Sequence, residues 1–548
     1  MAADGAHGVV VDRAVPVSLQ QSQQIPGGGV VGGEGQVPGW AVVPDMAEMD
    51  LNFLQLGKVL SQHLGKGTGP IGRHQEGGQN GQNPHKDQEV SSSRHGALLS
   101  PGIGPRGGCC SLSAWSEGAN PWLRAPSPAG GREEKADILL KDGKIVKIGQ
   151  IKEEELAAEP ASLRVIDAEG LVAAPGLVDV HSHFRDPGFT YKEDIETGAK
   201  AAAKGGYTTV VLMANTKPCV DNEETLRYVI EKGKQTGIHV YTCATVTMGM
   251  QGKEIVPMEE LAQKGAVGFT DDGVPVLSEE IVEEAMKRAA ALQMPLSFHE
   301  ENPAYIENNG VNAGKAAAHY HIGGSKREAE IDLVGRDLEI ALKTGAAIDI
   351  QHISTKEAVE LVRQAKKRGS NIHAEATPHH FTLTEDAVIT YGTLAKMNPP
   401  LREESDRRAI IEGLKDGTID MIATDHAPHS KEEKEKPITE APSGIIGLET
   451  ALPLSVTELV ETGDMTLMSV LEKLTCNPAD LYHLPAGRLT ENGPADIVLF
   501  DPKEEYVIDG FVSKSQNSPF LGRKVKGRVY YTICGGKIVY SKREEEQS

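Results

Sequence analysis

Cysteine is scarce in this chain, with six residues in 548. Cys109 and Cys110 are adjacent, and Cys219, Cys243, Cys476 and Cys534 are scattered without C-x-x-C spacing. That pattern excludes a disulfide framework and fits a reducing cytoplasm. Long apolar runs are missing too: no stretch of about 18 apolar residues offers a membrane span. The N-terminus carries Asp4 and Asp12 and lacks a basic segment followed by an apolar one, so no secretory signal is expected. Positive charge is outnumbered, 56 Lys and Arg against 78 Asp and Glu, for a formal net charge of -22. Such a balance gives no electrostatic case for binding nucleic acid or an anionic membrane. The acidity is spread through Glu-rich helical stretches such as 279–284 and reads as a solvated face. A soluble cytoplasmic protein, long enough for two or three domains, is expected.

Residues 1–133 differ in kind from the remainder of the chain. Gly27-Gly28-Gly29, Gly32-Gly33 and Ser91-Ser92-Ser93 punctuate a polar, proline-rich stretch. It cannot bury enough apolar surface to offset its ordering entropy, so a disordered or mis-predicted extension is expected, with one amphipathic helical pattern at 46–64. Ordered sequence is expected from 134. The 136–149 stretch reads as strand, Asp142-Gly143 turn, strand, and 495–500 and 527–540 use the same vocabulary. Residues 134–172 and 485–548 are therefore expected to form one small β-sandwich domain flanking a central region, 173–484. There, strands expected at 207–213, 239–245, 266–270, 295–299, 347–352, 371–375 and 421–424 alternate with helices at 222–234, 279–292, 332–344 and 356–368. Repeated βα units imply a parallel sheet, and about eight of them a closed (β/α)8 TIM-type barrel. In that fold, catalytic side chains belong at the C-terminal ends of the strands.

The strand ends bear this expectation out in composition. An apolar strand at 171–180 leads into His181-Ser182-His183, and residues two apart on a strand point the same way. Later strand ends carry Asn215, Asp271-Asp272, His299-Glu300-Glu301, His352 and Asp425-His426. Four histidines with two or three carboxylates exceed what one closed structural zinc site needs. The set suits two adjacent cations bridged by a carboxylate and a hydroxide.

Three runs carry a family likeness: His181-Ser182-His183-Phe184-Arg185-Asp186-Pro187-Gly188, Met397-Asn398-Pro399-Pro400-Leu401-Arg402 and Ala423-Thr424-Asp425-His426-Ala427-Pro428-His429. Over about 134–542 the chain resembles the bacterial-type dihydroorotases, cyclic amidohydrolases of the amidohydrolase superfamily. The resemblance implies reversible cyclisation of N-carbamoyl-L-aspartate to (S)-dihydroorotate with loss of water, a step of UMP synthesis, and two zinc ions per subunit. It places His181, His183 and Asp425 on one metal and His299 and His352 on the other. Asp272 would bridge them; spacing alone does not choose between Asp271 and Asp272, and the family pattern favours the second. No lysine occupies this strand end to supply a carboxylated-lysine bridge. A metal-bridged hydroxide would attack the ring amide, with Asp425 as general acid/base.

A dianionic open-chain substrate calls for a cationic clamp, and Arg185 offers a bidentate fork. His183, Asn215 and His429 complete the expected carboxylate site, while Asn398 and the backbone of Ser443 and Gly444 are expected at the pyrimidine edge. His379 and His380 are expected as supporting packing, His319 and His321 as solvent-facing or lid residues, and the charged run 431–436 as a solvated segment. The family further implies a homodimer or association with aspartate transcarbamoylase.

Rival readings are an allantoinase or a hydantoinase/dihydropyrimidinase, whose substrates would not need Arg185 beside Asn398 and His429, and a silent scaffold subunit, which would typically have lost ligands. Three departures from the family pattern stand out. Ala214 replaces the proline of Met-Pro-Asn-Thr, Ser443 stands where a bulkier residue is common, and the proline-rich 121–129 segment occupies the place of an opening strand. Prolines lack donors, so the small domain is expected to lack an edge strand.

Overall fold

Pro175-Gly176 interrupts an otherwise continuous apolar stretch, and the interruption sets the architecture. The computed structural model describes residues 8–13, 122–125, 132–157, 163–369 and 371–545. In it the single strand expected at 171–180 is two strands in different sheets. A side chain at 176 would meet Thr208 at 2.2 Å, so only glycine lets the chain pass so close there. The Gly176 N–H donates to Asp496 O at 2.9 Å, and the chain crosses from a β domain into a barrel.

The strands before that crossing are β1 (Gly8–Arg13), β2 (Trp122–Ala125), β3 (Arg132–Lys135), β4 (Asp137–Lys141), β5 (Lys144–Gly149), β6 (Leu163–Glu169) and β7 (Val172–Pro175). The barrel holds β8 (Leu177–Ser182), β9 (Tyr207–Leu212), β10 (His239–Thr242), β11 (Leu296–Phe298), β12 (Ile348–Ile350), β13 (Ile372–Ala376) and β14 (Met421–Ile422). All paired barrel strands are parallel. The segment expected as a strand at 266–270 occupies the position between β10 and β11 through bridges of Phe269 to Ala244 and Leu296, too few rungs for a strand. A parallel bridge of Ser182 to His426, with the His183 N–H donating to His426 O at 2.9 Å, closes the ring. Helices such as Ile195–Lys204, Glu223–Gly233, Glu279–Leu292, Glu328–Thr344, Lys356–Lys366 and Glu404–Asp416 follow the strands. Their starts are written in the sequence: Asn222, Ser278 and Thr355 each accept a backbone N–H of the first turn. Apolar faces of these helices, including Leu226, Val282, Leu338 and Val362, bury against Val210, Leu296, Ile348 and Ile372 of the strands.

The small domain is completed by β15 (Ile497–Val507), β16 (Lys524–Cys534) and β17 (Lys537–Ser541). One sheet runs β5-β4-β1-β6 and the other β17-β16-β15-β7-β2-β3. Ile138, Leu140, Ile145, Ile166, Ala173, Ile497, Leu499 and Ile533 fill the space between them. Pairing of β7 with β15 extends this domain to Pro175.

The strand expected to be missing is present. Trp122–Ala125 lies between Pro121 and Pro126, each of its residues keeps a donor, and it pairs parallel to β7 and antiparallel to β3. In the other sheet, β1 fills the slot between β4 and β6, with Val10 opposite both Leu139 and Val165. The helical pattern at 46–64 and most of the low-complexity stretch lie outside the described residues. Among the described residues no helix is long and apolar enough to cross a membrane.

Candidate metal centre

At the C-terminal mouth of the barrel, β8 delivers His181 and His183 with ring centroids 5.3 Å apart, the separation that alternate strand residues allow. Asp425 comes from the segment after β14, and its Oδ1 lies 3.0 Å from His183 Nε2 and 3.6 Å from His181 Nε2. Asp272 Oδ1 and Oδ2 reach His181 Nε2 and His183 Nε2, each at 3.5 Å. On the other side, Asp272 Oδ1 is 3.9 Å from His299 Nδ1, and His299 Nδ1 lies 2.9 Å from His352 Nε2. All six expected ligands are buried and come together. Five of them fall into two overlapping groups, His181, His183 and Asp425, and His181, Asp272 and His352, each with its ligand atoms within 4.8 Å, and His299 adjoins the second through its contact with His352.

The donor set fits divalent cations. Among the described residues, His181 Nε2 and His352 Nδ1 are buried and without a hydrogen-bond partner, a costly state for a polar atom that ligation would relieve. Burial, with His299 and His181 alongside, pushes His352 well below the usual imidazole range and keeps it neutral, the ligating form. Burial raises the Asp272 carboxyl, but contact with His181 and the charges of His181, His183 and His299 outweigh it and hold the group well below its usual value. Arg185, His352 and Asp425 have φ of 57°, 32° and 42°. Left-handed backbone at non-glycine residues costs about 1–3 kcal/mol each and clusters where function fixes the geometry.

Asp271 and Asp272, inseparable by spacing, are separated by the fold. Asp271 Oδ1 accepts the N–H groups of Val246 and Thr247 at 2.8 and 3.1 Å, facing away from the histidines. Asp272 alone faces the centre.

Three buried residues around the site carry no expected role from sequence. Glu375, at the end of β13, uses Oε1 both for His181 Nδ1 and for the His352 N–H at 3.2 Å, so one oxygen fixes two ligands. Glu301 Oε2 lies 3.2 Å from His299 Nε2. The signal is available for both: each is a carboxylate at a barrel strand end. Lys434, inside the run expected to be solvated, is buried and donates to Pro442 O and Gly444 O at 3.0 Å each. Its aliphatic stem packs inward while the ammonium finds carbonyls, which a tally of charged residues does not reveal.

The expected substrate contacts are sorted by their partners. Arg185 Nε donates to Pro428 O at 3.3 Å, and among the described residues the guanidinium forms no ion pair. Asn215 is committed elsewhere: its Oδ1 meets His183 Nδ1 at 3.0 Å and its Nδ2 donates to Asp272 Oδ2 at 2.8 Å, so it positions ligands. Asn398 Nδ2 is 3.1 Å from His299 Nε2, and its Oδ1 is buried without a partner among the described residues. His429 Nε2 lies 2.8 Å from Ser443 O and its Nδ1 3.2 Å from Lys192 Nζ. Burial and the cations Arg185 and Lys192 bring its value down to about 3, so it is neutral. At Gly444, with φ 153°, a side chain would meet Ala427 O and His429 at 2.6 Å. Its N–H donates to Lys396 O at 2.9 Å and its carbonyl is taken by Lys434 and Asn517. Of that backbone edge, the Ser443 N–H is left without a partner among the described residues. His380 packs behind, with Nε2 3.0 Å from Pro399 O, and His319 and His321 are exposed.

Residues 172–539 match the family model described as Amidohydrolase family. Among curated proteins, a dihydroorotase of Clostridioides difficile (strain 630) is 54% identical over 418 residues, covering 76% of this chain and 98% of that protein. A dihydroorotase of Clostridium acetobutylicum is 52% identical, covering 75% and 97%, and one of Streptococcus pneumoniae 51% identical, covering 76% and 98%. Among solved structures, L-hydantoinase (dihydropyrimidinase) from Arthrobacter aurescens superposes with a TM-score of 0.68 at 26% identity, covering 77% of this chain and 96% of that one.

Proposed function

The chain belongs to the amidohydrolase family, and from that premise we propose that its barrel mouth carries out the dihydroorotase reaction of pyrimidine biosynthesis, the reversible interconversion of N-carbamoyl-L-aspartate with (S)-dihydroorotate and water. The observation that carries the choice of substrate is Arg185, a guanidinium beside a cluster of metal-ligand type with no carboxylate paired to it among the described residues. A hydantoin ring offers no carboxylate for it; dihydroorotate does.

We assign two zinc ions to the cluster, one on His181, His183 and Asp425 and one on His299 and His352, with Asp272 between. Bound there, they supply Lewis-acid polarisation of the ring carbonyl and acidify water at neutral pH. Asp425 is the general acid/base: in ring opening it takes a proton from the attacking water and returns it to the ring nitrogen as the C–N bond breaks. Ring closure runs the same transfers in reverse. The 3.0 Å contact with His183 Nε2 and the fixed backbone at 425 hold that carboxylate at the reacting centre. Arg185 binds the substrate carboxylate, and neutral His429, its Nδ1 taken by Lys192, braces Ser443 O beneath it. The Ser443 N–H and the Asn398 carbonyl are the groups left to meet the amide edge.

The test is turnover of dihydroorotate against allantoin, hydantoin and dihydrouracil by the purified full chain. Preference for dihydroorotate that shrinks by about 10–100-fold in Arg185→Met supports the reading. Equal turnover of a ring without a carboxylate would replace it with a hydantoinase-type activity.

A further inference from the structure

A second group of ligand-type side chains lies at the opposite end of the barrel from the mouth. His239 opens β10, Asp496 immediately precedes β15, and Cys534 ends β16, so the group joins the N-terminal end of a barrel strand to the β domain. One ligand atom of each lies within 4.8 Å of the others. His239 Nε2 is 3.0 Å from Asp496 Oδ2, while Asp496 Oδ1 is held by the Gly535 N–H at 2.7 Å. The carboxylate is thus oriented by backbone with one oxygen turned to the imidazole.

An imidazole–carboxylate hydrogen bond alone would account for two of the three residues. The buried thiol joins them: its sulfur is 3.7 Å from Thr208 O and lies against the Asp496 carboxylate and the His239 backbone, so sulfur, nitrogen and oxygen ligands share one point. Asp496 and Cys534 are buried and the His239 side chain is 44% exposed, so an ion has an entry path and solvent a fourth position.

We propose that His239, Asp496 and Cys534 form a third metal site, separate from the barrel mouth, that takes a zinc-like divalent cation and ties β10 to β15 and β16. Sulfur, nitrogen and oxygen ligands with one open position suit zinc rather than magnesium or calcium, which prefer oxygen alone. Bonds of about 2.0–2.3 Å at tetrahedral angles draw ligand atoms to within about 3.3–3.8 Å of one another, a small contraction of the present cluster. Binding exchanges the thiol proton for the ion and releases that proton to solvent. Because the site is at the far end of the strands, its occupancy should act on the melting of the domain junction and not on the chemical step.

The ligands at the mouth are all nitrogen and oxygen, which gives the test its specificity. The full-length protein is stripped of metal and titrated with Co2+, and the thiolate-to-cobalt charge-transfer absorption is recorded. The band is expected in the unsubstituted protein and in Cys243→Ser, and absent in Cys534→Ser, which should also bind one equivalent of zinc fewer. His239→Ala, at a half-exposed position that folding tolerates, should weaken the Co2+ titration of the band by about tenfold or more. No band in the unsubstituted protein, a band that persists in Cys534→Ser, or a titration unmoved by His239→Ala would each overturn the proposal.

Discussion

The barrel mouth and the small β domain assemble from the chain in opposite ways. The side chains of the ligand cluster come from successive segments around the barrel, His181 and His183 from one strand end and Asp272 from a bridging segment, on a ring of parallel neighbours. The β domain draws two sheets from 8–13, 122–175 and 497–541, and β1 sits between strands more than a hundred residues away in sequence. One region is local modules repeated around a closed barrel; the other is long-range pairing with open edges. Chemistry and stability should therefore separate, with substitutions at the mouth abolishing turnover in a folded protein and cuts in the β domain lowering melting while turnover persists.

The sharpest way to test that separation is at Asp425. Asp425→Asn should lower kcat for ring opening by about 10³-fold or more while melting shifts by no more than a few degrees; a large loss of melting temperature would merge the two regions. Next comes Glu375, which holds His181 and the His352 backbone with one oxygen. Glu375→Gln should weaken metal binding about 10–100-fold, with kcat recovered in excess metal. Rates that excess metal does not restore would make Glu375 more than a positioning residue.

Deleting residues 1–17 tests the other side. Loss of β1 opens the edges of β4 and β6, and a fall in Tm of about 4–8 °C is expected with turnover of the metal-loaded protein little changed at low temperature. Equal melting would show that β1 contributes nothing to the domain.

An effect confined to alkaline pH concerns Lys434. Burial and the neighbouring Lys396 bring its value from 10.5 down to about 7. Between about pH 7 and 10 the unfolded chain binds the proton that the folded one has released, so stability should rise with pH in that window by at most about 1.4 kcal/mol per pH unit. Lys434→Met should remove this increment in denaturant titrations repeated across the window; an unchanged slope would contradict the assignment.

Legibility in the sequence divides along the same line. His-x-His and the succession of strand-end ligands can be read because a barrel repeats one local rule, polar groups at the end of an apolar strand. Glu375 and Glu301 obey that rule too, but a ligand set already complete gives no reason to single them out. Asp271 and Asp272 differ only in which way the backbone turns, which spacing does not encode. Pairing of β1 and β2 is invisible for another reason. Strand partners far apart leave no periodic trace, and the prolines at 121 and 126 flank the four-residue ladder instead of interrupting it. Lys434 shows the same limit in miniature: only the fold reveals that a charged run turns one ammonium inward onto carbonyls.

On the proposed reading, the buried cluster at the mouth is a metal-dependent centre for opening the dihydroorotate ring. That reading is tested most directly by measuring ring opening and bound zinc on the same samples of the full chain and of Asp425→Asn. Turnover should rise with zinc content in the unsubstituted protein and be nearly abolished in Asp425→Asn at the same melting temperature. A folded, zinc-loaded chain that leaves dihydroorotate intact, or an Asp425→Asn protein that opens it at the original rate, would contradict it.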